Sequence, residues 1–320
     1  MKVIITDCDH SDIQIETAIF KDFNIDFELQ QNKTAADLIK NCQQATVVIN
    51  QYAPFNEEVL SSLPNLKVII RYGVGVNNID LDAATKYGVQ VCNVPDYGTQ
   101  EVADHALAMT LALTRKIPLM DKLVKDGNWD YQASVPIYRH SEQTVGIVGV
   151  GRIGSAFALK VKALGMKIIA FDTSAEKKMQ TDEYSFIEFV SFDELVEQSD
   201  VISIHCPSDQ AMNLFNKSVF TKMKNSAYVI NVSRGGIIDE EALYNALVTK
   251  EIAGAALDVA VKEPIDKASP LLTLDQFICT PHMAWYSEQA AQELKRKVAE
   301  EAVRYVQGQT LHYPVNKLNN

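Results

Sequence analysis

Residues 144–172 read TVGIVGVGRIGSAFALKVKALGMKIIAFD. An apolar run of strand character leads into Gly149-x-Gly151-x-x-Gly154, helix-spaced apolar residues follow, and a second apolar run ends on Asp172. Each residue type has a physical task. Gly149 permits a tight turn, Gly151 lets backbone approach a pyrophosphate, and Gly154 lets the helix lie close on its strand. The pyrophosphate would meet the free N–H groups where the helix starts, at Arg152 and Ile153. Asp172 follows Gly154 by eighteen positions, at the end of the second strand. A carboxylate there accepts hydrogen bonds from ribose hydroxyls and repels a 2′-phosphate. The next residues, TSAE, supply no arginine for such a phosphate. NAD(H) is therefore expected over NADP(H). Glycines also serve ordinary turns, so the plain alternative is a structural strand–helix turn. The flanking strand, helix and terminal acid favour the dinucleotide.

Working outward, the same alternation runs along most of the chain. VIIT (3–6), TVVI (46–49), LKVII (66–70) and VQVC (89–92) read as strands separated by helical patterns. A long helix is expected over 99–115, capped by Thr99 and apolar on much of its circumference, hence buried. Beyond residues 144–172, strands are expected at DVISIHC (200–206), AYVINVS (227–233), IAGAALDV (252–259) and FICTP (277–281). A final helical pattern spans 286–307. This alternation predicts an α/β protein built on parallel sheets. The expected organisation is two domains: 1–99 plus 286–320, and 100–285 between them. The chain would leave the first domain, build the second and return.

The length of 320 residues suits two domains. No apolar run is long enough for a membrane helix, and MKVIITDCDH turns acidic too soon for a secretory signal. The net charge of −11 without a basic stripe argues against nucleic acid or an anionic membrane as partner. The five cysteines are odd in number and lack a CxxC spacing, so neither a disulfide framework nor a metal site is expected. A cytoplasmic location fits them.

Three polar residues stand just past expected strand ends, on the edge where open α/β sheets bind ligands. Arg234, in INVSRGGIIDEEAL, is followed by Gly235-Gly236, and Asp239 is the expected cap of the next helix. An arginine fork suits a planar carboxylate, although a lone arginine is also an ordinary surface residue. Glu263, in ALDVAVKEP, is either loop chemistry or the partner that orients His282 and stabilises its protonated form. His282, in TPHMAWYS, has the chemistry to give a proton to an alkoxide left by hydride transfer and to take it back.

In this order the motifs resemble the D-2-hydroxyacid dehydrogenase family of NAD-dependent enzymes. They are RYGVGVNNID (71–80), VCNVP (91–95), the glycine turn with Asp172, NVSRGG, ALDV, EP and TPH. The resemblance implies two Rossmann-like domains, flavodoxin-like and NAD-binding, with an interdomain cleft. It also implies a homodimer formed through the NAD-binding domain, including the helix at 99–115. It makes Arg234 the clamp on the substrate carboxylate and carbonyl, His282 the acid/base and Glu263 its partner. Tyr72, Gly73, Val74 and Gly75 would offer backbone N–H groups to the same carboxylate. His205, Cys206, Pro207, Val232 and Ser233 would line the cofactor, and Asp258 would face the nicotinamide carboxamide. PHMAWYSEQA (281–290) is similar to the branch containing the C-terminal binding proteins. There Trp285 would face the substrate pocket and select an apolar or sulfur-containing side chain; the alternative is an aromatic anchor for the last helix. Asn77, Asp104 and Ala284 depart from residues common in the family, where Asp, Glu and Gly are usual. The sequence stops at Asn320, so the appended regulatory domain of long phosphoglycerate dehydrogenases is not expected.

The expected activity is interconversion of a small 2-oxo acid and its D-2-hydroxy acid with NAD(H). The alternative of a different class is an NAD(H)-sensing scaffold of corepressor type with vestigial catalysis. A dehydrogenase of formate or phosphite type shares the expected fold, but no residue favours it.

Overall fold

The computed structural model describes residues 1–208 and 211–318. The chain forms two compact bodies, Met1–Gly98 with Ser287–Asn320, and Thr99–Tyr286.

In the first body Val3–Ile5 (β1), Phe27–Leu29 (β2), Val47–Asn50 (β3), Val68–Arg71 (β4) and Gln90–Cys92 (β5) form a parallel sheet, ordered β2-β1-β3-β4-β5. This is the flavodoxin-like order. Every residue of β1 and β3 is buried, because helices cover both sheet faces and leave no polar side. The edge strand β2 reads Phe-Glu-Leu and is partly exposed; its mixed polarity kept it out of the sequence reading. The helices start on polar caps: Thr34 and Asp37 form a capping box, and Asn56 and Asp80 accept N–H groups of the next two helices. The last helix, Glu288–Val306, packs on helix Gln14–Asp22 and on β3 and β4. It buries Ala290, Leu294, Val298 and Ala302 at four-residue spacing, each large apolar side chain contributing about 1.5–3 kcal/mol. The tail then runs along the open edge of β5. Val315 N–H donates to the Val91 carbonyl (2.8 Å), and Asn316 Oδ1 accepts from Val91 N–H (2.7 Å), which covers unpaired edge groups.

In the second body Thr144–Val148 (β6), Lys167–Phe171 (β7), Glu188–Phe189 (β8), Val201–Ile204 (β9), Tyr228–Asn231 (β10), Gly254–Leu257 (β11) and Phe277–Cys279 (β12) form one parallel sheet. Its order is β12-β11-β10-β9-β6-β7-β8. The chain winds outward from β6 in one direction and from β9 in the other, so the direction of winding reverses between these neighbours. That is the switch point at which doubly wound sheets bind ligands, beyond the carboxyl ends of the strands. The two-residue β8 is too short to be read from periodicity. Helix Thr99–Thr114 packs on helix Arg152–Lys162 and against β10 and β11, burying Ala103, Ala106, Met109 and Leu113. Thr99 is the first helical residue rather than the cap expected from sequence. Asp239 does cap its helix, accepting from Glu241 and Ala242 N–H.

Candidate functional site

The glycine turn leaves β6 at Val148. Gly149 has φ +90°, and a Cβ there would lie 2.9 Å from the Cys206 nitrogen, so only glycine is relaxed at this position. A Cβ on Gly154 would come within 2.1 Å of the Gly149 carbonyl oxygen, which fixes how closely the helix approaches the turn. Gly151 caps the eleven-residue helix Arg152–Lys162 without any side-chain hydrogen bond, and a Cβ on it would meet nothing within 4 Å. The helix thus begins on a glycine that offers no side-chain cap to its first N–H groups, at Arg152 and Ile153. These residues fit a pyrophosphate.

Asp172, at the end of β7, is heavily hydrogen bonded. Oδ2 accepts from Val150 N–H (2.7 Å) and lies 2.5 Å from Lys178 Nζ. Oδ1 accepts from Ser174 N–H (2.7 Å). Burial opposes its ionisation, but Lys178 and the two N–H donors outweigh burial and hold the carboxyl below its ordinary range. Lys178 lies six residues beyond Asp172 and meets it only through the helical turn between them, so the residues adjoining Asp172 give no sign of it.

His205 follows β9. Its Nε2 shares a 2.8 Å hydrogen bond with Ser203 Oγ, its ring lies 5.1 Å from Phe157, and the buried Nδ1 has no partner. Burial pushes its pKa down to about 3, so the ring is neutral. Burial pushes the Cys206 thiol up to about 11, so it is a packed thiol and not a thiolate. Pro207 is exposed, and Val232 is 8% exposed. Ser233 ties two strand ends together: its hydroxyl donates to the Ile204 carbonyl (3.1 Å) and its N–H to Asn231 Oδ1 (3.0 Å).

Arg234, Glu263 and His282 follow the carboxyl ends of the neighbouring strands β10, β11 and β12. His282 Nδ1 lies 2.7 Å from Glu263 Oε2, with 43% and 41% of the two side chains exposed. Glu263 Oε1 accepts from Ala260 N–H (3.1 Å). Burial opposes ionisation of Glu263, but His282, the Ala260 N–H and the positive charge of Arg234 prevail and hold its carboxyl below the usual range. Arg234 begins the Gly235-Gly236 exit, where a Cβ on Gly235 would lie 2.0 Å from the Ala260 carbonyl carbon. Close approach of these two loops therefore requires glycine. Its Nη1 donates to the Ser233 carbonyl (2.7 Å).

His282 has φ +52°, a left-handed backbone that non-glycine residues rarely adopt. Asp258, 1% exposed, holds it there. The Asp258 carbonyl accepts from His282 N–H (2.8 Å), and its carboxylate accepts from Met283 N–H (3.0 Å), Ala284 N–H (2.9 Å) and the Thr280 hydroxyl (2.5 Å). Its carboxylate shapes the His282 loop, a role that the sequence reading did not give it. His105, on helix Thr99–Thr114, joins this network with Nε2 2.9 Å from Thr280 Oγ1. No sequence signal distinguished His105, since its partner lies 175 residues away. Trp285 is half-buried, with its ring edge-to-face on Tyr286 at 5.5 Å.

In the first body, the turn after β4 has Tyr72 2% exposed, its hydroxyl donating to Glu16 Oε1 (2.8 Å). The Tyr72 side chain therefore belongs to the core. Gly73 has φ +138° and donates its N–H to the Arg71 carbonyl (2.9 Å), Val74 is 40% exposed, and Gly75 is partly exposed. Among the described residues no cluster of three or more metal-ligating side chains occurs.

Residues 107–284 match the model of the D-isomer specific 2-hydroxyacid dehydrogenase, NAD binding domain. A D-3-phosphoglycerate dehydrogenase of Archaeoglobus fulgidus is 37% identical over 294 residues, 91% of this chain, which spans only 55% of that relative's length. A glyoxylate reductase of Korarchaeum cryptofilum is 33% identical, with 90% of this chain and 86% of the relative covered. The D-lactate dehydrogenase of Aquifex aeolicus, solved with NAD and lactic acid, superposes with a TM-score of 0.86 at 28% identity, covering 96% of both chains. The second body is thus an NAD-binding domain, and the chain belongs to the D-isomer specific 2-hydroxyacid dehydrogenase family.

Proposed function

We propose that this protein interconverts a small 2-oxo acid and its D-2-hydroxy acid. The observation that carries this reading is the Glu263–His282 pair at 2.7 Å, on the strand ends of the same sheet that presents the glycine turn and Asp172. NAD(H), when bound, supplies hydride to the substrate C2 or takes it back. His282 donates a proton to the carbonyl oxygen as it becomes a hydroxyl, and recovers it in the reverse direction. Glu263 occupies Nδ1 and so leaves Nε2 as the nitrogen that exchanges the proton. The Arg234 fork holds the substrate carboxylate and polarises the carbonyl, positioning that supplies much of the catalysis in such sites. The Gly73–Gly75 turn is assigned to carboxylate recognition, and Trp285 to selection of an apolar or sulfur-containing side chain. The relatives carry enzyme names, which favours catalysis over the scaffold reading.

The protein is further proposed to be a homodimer formed through the NAD-binding domain. Trp129, Tyr131 and Tyr138, which follow the long helix, are 89%, 71% and 50% exposed, a concentration of aromatic surface that suits a partner. Five free cysteines fit a reducing cytoplasm. The test is NADH oxidation against pyruvate, hydroxypyruvate, glyoxylate, phenylpyruvate, 2-oxoisocaproate, 4-methylthio-2-oxobutyrate and 3-phosphohydroxypyruvate, with sedimentation for the dimer. Strong turnover on one acid supports the assignment; tight NADH binding without turnover on any counts against it.

A further inference from the structure

An unaccompanied carboxylate at the end of β7 would reject a 2′-phosphorylated cofactor by charge. Asp172 is not unaccompanied. The segment after it curls into the helical turn Ala175–Lys178, closed by Ala175 N–H on the Asp172 carbonyl (3.1 Å) and Lys178 N–H on the Ser174 carbonyl (3.3 Å). This brings Lys178 back, six residues on, with Nζ 2.5 Å from Asp172 Oδ2. The carboxylate and ammonium together carry no net charge, and three of about four acceptor positions of the carboxylate are already taken. A group reaching Asp172 from a bound ribose therefore arrives within a few ångströms of the ammonium.

Two further features suit a phosphate. Ser174 precedes the helical turn as its cap residue but makes no side-chain cap bond, so its exposed hydroxyl is not committed to the turn. Lys178 retains 19% exposure on a flexible stem, and a phosphate dianion competes for an ammonium better than a carboxylate does. Opposing acids are at hand: Glu176 is exposed on the same turn, and Glu183 lines a surface cavity together with Lys178 and Arg152.

We infer that Lys178 is a cofactor-specificity residue that admits a 2′-phosphate beside Asp172, so that this protein binds NADP(H) as well as NAD(H). The inference rests on the dinucleotide reading of the Gly149–Gly154 turn. Its test is calorimetric titration of the full chain, as wild type and Lys178→Ala, with NAD+ and with NADP+. The expected result is wild-type dissociation constants within about tenfold of each other, and a loss of about tenfold or more for NADP+ alone in Lys178→Ala, NAD+ changing less than about threefold. NADP+ binding more than about a hundredfold weaker than NAD+ in the wild type would overturn it. So would a variant that weakens both cofactors alike, which would make Lys178 a mere support for Asp172. If neither dinucleotide bound the wild type, the reading of the glycine turn would fall, a result distinct from NAD+ binding with NADP+ refused.

Discussion

At the scale of single residues, the proposed chemistry rests on His282, a histidine in left-handed backbone whose loop is held by a buried carboxylate. His282→Ala is expected to lower turnover by at least about a hundredfold, the usual worth of a positioned acid/base group. NADH affinity should stay within about twofold, because the glycine turn and Asp172 are untouched; fluorescence titration beside steady-state rates checks both. Glu263→Gln keeps a hydrogen-bonding group beside His282 but removes the charge, and should lower kcat by about tenfold or more. The wild-type Glu263 carboxyl is held below its ordinary range, so its contribution is present above the unfolded value and is lost as pH falls through the lower folded value. The Gln variant should lack that acid-side loss, which a pH series of melting temperatures would reveal. Arg234, Glu263 and His282 stand out in the sequence as polar residues within a few positions of apolar runs. Lys178 and His105 do not, since each acquires its partner through folding: Lys178 by a helical turn that curls back, His105 by packing of a helix against a distant loop.

At the scale of elements, the meeting of β6 with helix Arg152–Lys162 shapes the glycine turn proposed to hold the cofactor. Gly154→Ala places a methyl carbon 2.1 Å from the Gly149 carbonyl oxygen, which the helix must yield to. Overpacking of this kind costs about 1–3 kcal/mol. The melting temperature should fall, and NAD+ should bind more weakly in calorimetry by about tenfold, while Gly151→Ala, whose added carbon meets nothing within 4 Å of the protein, should retain stability and weaken only the cofactor. Unchanged NAD+ affinity in both variants would remove the turn from the site. Long strands such as β6 and β7 were legible as apolar runs, whereas β2 and β8 were missed. A strand of two or three residues with a glutamate in it carries no period, and only the neighbouring strand makes it one.

At the scale of the whole molecule, stability should depend on acid through buried imidazoles. His205 has its pKa pushed down to about 3, below the unfolded value, so the unfolded chain takes up the proton first. Stability is therefore full above about pH 6.5 and declines as pH falls toward the folded value, by at most about 1.4 kcal/mol per unit for one proton. His205→Asn should flatten that part of the pH–stability curve in denaturant titrations; an unaltered slope would mean that the ring is not the group responsible. The first body also depends on chain from the far end. Leu294, Val298 and Ala302 are buried against its helices and strands, so a chain ending at Tyr286 should lose the cooperative unfolding of that body.

The amino-acid sequence alone determined the strand–helix alternation, the glycine turn with its terminal acid, and the three polar residues past strand ends. These are local matters of periodicity, backbone freedom and side-chain chemistry, and they are written in consecutive residues. Tertiary structure alone decided that β6 and β9 lie side by side with the winding reversed between them, and that Glu263 meets His282 across nineteen residues of chain. It also decided that Asp258 spends its carboxylate on the His282 loop and that Asp172 is met by an ammonium. Hydrogen bonds and ion pairs reach only a few ångströms, and which groups come within that reach is fixed by packing of the core rather than by spacing along the chain.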